Sequence, residues 1–159
     1  MNDLRDTGAA PPVEVAAIAE STSANCLATR VRQLSRILTR VYDDGLRPLG
    51  ITASQFTLLT QLAQQDGITA VEIGGSLDIE KSTLSRNLRR LLTLGMILMD
   101  PPAGRRGRGL HLTPKGKAAL QEAYPIWQEA QVKAFAVLGP ASRKTLDDLV
   151  RHAEKLTAV

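Results

Sequence analysis

Lys81, Ser82, Thr83, Ser85, Arg86, Asn87 and Arg90 fall within ten residues, and Arg105, Arg106 and Arg108 follow in a proline- and glycine-rich segment, PPAGRRGRG. Cations mixed with short hydroxyls and an amide suit one kind of chemistry, the pairing and hydrogen bonding of a polyanion that also displays base edges. Residues 81 to 117 hold nine Lys or Arg and one acid, Asp100, a local charge of +8 in a chain whose total is +4. The rest of the chain is therefore net acidic, and the positive charge is focused rather than interspersed as solubility alone would have it. Aromatic residues are 3% of the chain, and none lies in the basic stretch. A stacking platform for RNA or single strands is thus missing, and double-stranded DNA is the polyanion that fits.

Catalytic chemistry finds no comparable support. The two histidines, His111 and His152, have no Cys, His, Asp or Glu at metal-ligand spacing. GRRGRG lacks the Gly-Lys-Ser/Thr ending of a phosphate loop and does not open a helix. Asp43 with Asp44 and Asp147 with Asp148 are adjacent pairs, which diverge on a helix. The chain is read as a non-enzyme with no cofactor and no metal. Cys26 is the single cysteine, so no internal disulfide can form and a reducing cytoplasm is expected. Two readings of Cys26 stand side by side: a packed, unreactive thiol, or a redox-responsive one whose pKa is lowered by Arg30 four residues on. No apolar run approaches the roughly 18 to 20 residues of a membrane crossing. The acidic start, with Asp3, Asp6 and Glu14, does not resemble a secretion signal. No membrane partner is expected.

These donors need elements to hold them. Residues 1–22 carry Gly8, Pro11 and Pro12 and read as a flexible N-terminal arm, with helix allowed over Val13 to Glu20. Within 23–50, Leu27, Val31, Leu34, Ile37, Leu38, Val41 and Leu46 recur at helical spacing and predict an amphipathic first helix. Arg30, Arg32, Arg36 and Arg40 occupy much of its other face, most simply as a solvated one. Thr52 with Gln55 and Thr69 with Glu72 spell two capping boxes, stapled by Ile51 with Phe56 and by Ile68 with Ile73. They open a second helix and a short third one that stops near Gly74 to Leu77, with Asp66 and Gly67 turning the chain between them.

A fourth helix is predicted from about Glu80 to Leu94, ended by Gly95 in a left-handed backbone. Met96 to Asp100 and Leu110 to Thr113 read as strands of a hairpin around the basic tip. Thr113 and Pro114 start a fifth helix to about Val137, bent at Pro125, and a sixth follows Gly139 and Pro140 to about Leu156. The fold class is mainly α with a small β-wing: a first helix over 23–50, a winged helix-turn-helix lobe over 51–113 and C-terminal helices over 114–159, the long terminal helices keeping apolar faces that have no internal partner.

On a helical wheel Leu84, Leu88, Leu91 and Leu92 share one sector of the fourth helix. The opposite sector centres on Arg86, flanked by Ser82, Thr83 and Arg90. Ser82, Thr83 and Arg86 are the candidate base readers, since small hydroxyls allow close approach and a guanidinium pairs bidentately with guanine. Lys81, Ser85, Asn87 and Arg90 are assigned to phosphates. Arg105, Arg106 and Arg108, on a tip that buries nothing, are assigned to wing contacts along the minor groove.

From about Cys26 to Leu156 the chain also resembles the MarR (multiple antibiotic resistance regulator) family of bacterial transcription factors. LRPLGITASQFTLL, IEKSTLSRNLRRLLTLGMI and LHLTPKGKAAL carry the likeness. The family places Asp-Arg-Arg at the wing tip, where this chain has Gly104, Arg105 and Arg106, so the aspartate that helps to hold the wing is missing. The resemblance implies an obligate homodimer built from the first, fifth and sixth helices, reading a palindromic operator. It also implies a repressor function relieved by a small aromatic or anionic effector seated between the dimerisation helices and the DNA-binding lobe. Arg30, Arg36 and Arg40 are candidate cations for that site. Regulation through Cys26, or a winged helix used for protein interaction, are the alternatives.

Overall fold

A computed structural model of the protein describes residues 14–101 and 107–156. Two compact units are distinguished, one ending at Ile37 and the other beginning at Leu38. Helix α1 spans Val15–Asn25 and α2 spans Leu27–Leu46. The helix allowed over Val13 to Glu20 thus forms, beginning at Val15 and running on to Asn25. The alanine-rich VAAIAES run has a high intrinsic helix propensity and forms α1, although none of its residues is buried. The first amphipathic helix begins at Leu27, later than anticipated, because Cys26 takes an extended backbone after the helix-poor Ser21, Thr22 and Ser23.

Both capping boxes form. The Gln55 amide donates to Thr52 Oγ1 at 3.3 Å while Gln55 Oε1 accepts from the Thr52 amide at 3.2 Å, opening α3, Ala53–Gln64. Thr69 and Glu72 make the same exchange at the head of α4, Ala70–Leu77. Asp78 then adopts a left-handed backbone, φ 48°, and the Ile79 amide donates to Gly74 O at 3.1 Å, so the chain turns sharply into α5, Lys81–Thr93. Gly95, at φ 67°, releases α5 into the wing.

The wing pairs β2, Ile97–Met99, antiparallel to β3, Gly109–Leu112. Its other neighbour is β1, Ile68–Thr69, so the sheet order is β1-β3-β2. That third strand is not anticipated from sequence, because two residues show no alternation and Thr69 already serves as a cap. Helix α6, Pro114–Leu138, runs unbroken through Pro125, and α7 covers Ser142–Ala153. The core lies in the second unit: Leu58, Leu59, Ile73, Leu91 and Leu110 are fully buried, and Leu84 and Leu88 turn toward them. Gly116 is required where α6 starts, because a Cβ there would collide with the Met96 carbonyl.

Candidate nucleic-acid interface

Helix α5 is amphipathic in the sense the wheel requires. Leu84, Leu88 and Leu91 are buried, Ser82, Arg86 and Arg90 are exposed on the other side, and Lys81, Ser85 and Arg89 are exposed along the edge that borders α4. Its N-terminus is closed by Glu80, whose carboxylate accepts from the Ser82 amide at 2.9 Å, the Thr83 amide at 3.1 Å and the Ser82 hydroxyl. Those donors, led by the hydroxyl and helped by the nearby Arg86 charge, hold the Glu80 carboxyl below its ordinary pKa. Sequence reasoning misses Glu80. The available signal is an acid two residues ahead of Ser-Thr at a helix start, a placement that satisfies free amides and the helix dipole together.

The predicted base readers differ in what already engages them. Arg86 Nη2 donates to Thr83 Oγ1 at 3.2 Å, so the guanidinium is oriented by a neighbour one turn earlier. Ser82 is exposed, but its hydroxyl is committed to Glu80. Lys81, Ser85 and Arg90 are exposed, as phosphate contacts would need.

Asn87 departs from its phosphate assignment. It is half-buried, its Oδ1 accepts from Gln55 Nε2 at 3.4 Å, and its Nδ2 donates to Thr83 O at 3.1 Å. The amide therefore turns inward against α3. Its wheel angle lies near the edge of the leucine sector, where polarity alone misleads.

Arg105 and Arg106 lie outside the described residues. Arg108 sits at the neck of the wing, exposed, with Nε donating to the Asp100 carbonyl, while the Asp100 amide donates to Gly109 O at 2.9 Å. Beside it His111 bridges two carboxylates, Nδ1 to Asp66 Oδ1 at 3.0 Å and Nε2 to Asp100 Oδ1 at 3.1 Å. Both nitrogens face acceptors, so the doubly protonated ring is the form that satisfies both, and hydrogen bonds to Asp66 and then Asp100 raise the His111 pKa. This ties the α3–β1 turn to the wing neck. Sequence alone marks His111 only as a wing residue, because Asp66 is 45 positions away. Among the described residues no group of three or more His, Cys, Asp or Glu could hold a metal ion. The described helices include none long and apolar enough to cross a membrane.

Cys26 is half-buried at the junction of α1 and α2. The Thr29 hydroxyl and the Thr29 and Ala28 amides lower its pKa, with a smaller contribution from the Arg32 charge. Arg30, the partner anticipated from sequence, donates instead to Ala24 O at 3.4 Å.

Known proteins share this arrangement. The family model described as MarR family matches residues 49–106. The multiple antibiotic resistance protein MarR of Salmonella typhimurium is 37% identical over 86 residues, 54% of this chain and 60% of that protein, so the matched region spans less than two thirds of its length. The structure of the transcriptional regulator MosR from M. tuberculosis superposes with a TM-score of 0.73 at 34% identity, covering 82% of this chain and 97% of that one. MosR in complex with DNA gives a TM-score of 0.72 at 32% identity, covering 83% and 98%. A helix-turn-helix pair and wing in this order, with likeness over nearly the whole of a solved relative, place the chain in the MarR family.

Proposed function

We propose that the chain is a homodimeric, sequence-specific double-stranded-DNA-binding transcriptional repressor. The observation that carries this is α5 itself, with leucines buried on one side, Arg86 and Arg90 exposed on the other, and Lys81 and Ser85 exposed at its edge. Arg86, steadied by Thr83, is the base reader, with Thr83 and Ser82 allowing close approach. Lys81, Ser85 and Arg90 hold phosphates, and Arg105, Arg106 and Arg108 follow the minor groove. Val31, Ile37, Val132, Leu149 and Val150 are more than half exposed in the single chain, and a second copy covering them is the simplest use of such faces. Selection from a random duplex library tests the reading. The expected product is a palindrome with half-sites about one helical turn apart. Recovery of sequences with no common site would overturn it.

Release by a small effector belongs to the same proposal. A cavity of about 250 Å³ lined by Tyr42, Phe56 and Trp127 has no cation in its lining. A groove of about 560 Å³ between α4 and α5 is lined by Leu84, Leu88 and Met99 and rimmed by Lys81 and Arg89. The groove suits an aromatic carboxylate better, and a ligand there would compete for Lys81 and Ser85. Regulation through Cys26 is a second reading, favoured by the hydrogen bonds that ease its ionisation. Operator binding unchanged by peroxide treatment would remove it.

A further inference from the structure

Gln55 is the only buried polar side chain among the described residues, 7% exposed in a core of leucine and isoleucine. Its Oε1 is fixed by the Thr52 amide at the first turn of α3, which leaves Nε2 aimed at α5. There Asn87 Oδ1 receives it at 3.4 Å, Asn87 Nδ2 passes on to Thr83 O at 3.1 Å, and Thr83 Oγ1 takes the Arg86 guanidinium at 3.2 Å. The four residues form one polar chain, from a helix cap inside the lobe to the side chain placed to read a base.

Resting on the DNA-binding reading above, we infer that Asn87 and Gln55 are positioning residues that set the rotation and depth of α5, and through Thr83 the aim of Arg86. The leucines cannot do this alone. Leu84, Leu88 and Leu91 bury apolar area without directional preference, so a small roll of the helix costs little packing. An amide pair accepts one geometry, and in a low-dielectric interior an unmet donor on Gln55 carries a penalty that leucine contacts do not replace. Polar groups buried for register rather than for stability are the best-attested use of such a device. Base reading needs that accuracy because a bidentate guanidinium pair tolerates little displacement, whereas phosphate contact is more forgiving.

The test compares the parent with Asn87→Leu, Asn87→Ala and Asn87→Gln by fluorescence anisotropy. The probes are the duplex that the parent selects from a random library and a scrambled duplex of equal length and composition. Asn87→Leu and Asn87→Ala are expected to bind the selected duplex about tenfold more weakly and the scrambled one as the parent does, because Arg86 is misaimed while the charge is unchanged. Asn87→Gln keeps an amide at the position and is expected to restore most of the affinity. Matching thermal melts for parent and variants separate misplacement from unfolding. Equal weakening on both duplexes would return Asn87 to phosphate contact and overturn the inference, as would unchanged affinity on both. A parent that does not distinguish the two duplexes would sink the sequence-reading function, and the inference with it, before any variant is compared.

Discussion

The lobe between Ile51 and Thr113 and the helices that flank it solve the burial problem in opposite ways. In the lobe the apolar periodicity is consumed within the chain: α3, α4 and α5 each bury their apolar faces, and Leu58, Leu59, Ile73 and Leu91 are essentially inaccessible. Of the flanking helices α6 lends Ala119 and Ala123 to that core, but α1 and α7 bury no residue and α2 buries only Leu46, although α2 and α7 are strongly amphipathic in sequence. Apolar faces that stay exposed on regular, well-patterned helices are incomplete by themselves. One region therefore closes its core within the chain, with Leu46, Ala119 and Ala123 from the flanking helices, and the exposed faces of the other, in the proposed dimer, are completed by a second chain.

The sharpest way to break that comparison is a charge on an exposed apolar face. Leu149→Arg, at a position 57% exposed in the single chain, should leave the lobe folded yet yield monomers in sedimentation. Without two-site engagement, operator affinity should then fall by about a hundredfold or more. Dimers of unchanged affinity would mean that α7 is not part of the assembly. The matching change inside the lobe, Leu91→Ala, should cost about 2–5 kcal/mol in urea unfolding, because a fully enclosed leucine leaves a cavity that its neighbours cannot fill.

Within the lobe, reading and anchoring residues should separate. Arg86→Ala is expected to cost about 1–3 kcal/mol and to relax preference at one base position. Arg106→Ala should weaken all duplexes alike and flatten the salt dependence by about one unit for each phosphate left without its cation. Identical affinities and salt slopes for parent and both variants would undo these assignments.

The smallest effect concerns the wing neck. The folded-state pKa of His111 is raised by Asp66 and Asp100, so its contribution to stability is full below the ordinary histidine pKa and is lost as pH rises through the folded value. The melting temperature of the parent should therefore fall relative to His111→Gln on going from mildly acidic to mildly alkaline pH. Partial desolvation of the ring opposes the shift, which keeps the effect modest. A constant difference between the two proteins across that range would argue against the bridge. His111 and His152 are the two histidines of the chain, so NMR titration can assign the shift to one ring.

Local chemistry makes most of the lobe legible in the sequence. Thr52, Gln55, Thr69, Glu72 and Gly95 act within three or four residues of themselves, and each does what its spacing implies. The leucine face of α5 is likewise evident from a period alone. What stays hidden depends on long-range partners: the Gln55–Asn87 bond joins positions 32 apart, and Asp66–His111 positions 45 apart. Sequence spacing carries no trace of such meetings. The β1 strand escapes notice because two residues have no pattern, and α1, allowed over Val13 to Glu20, outruns that reading because Ser21, Thr22 and Ser23 are poor helix formers that nonetheless continue it to Asn25.

The most direct measurement is fluorescence anisotropy of the full chain on its selected duplex and on a scrambled one, at two salt concentrations. Tight binding that prefers the selected duplex, weakens steeply with salt and saturates at two chains per duplex is the predicted result. No duplex binding at low salt would contradict the assignment of α5 and the wing as a DNA-reading surface.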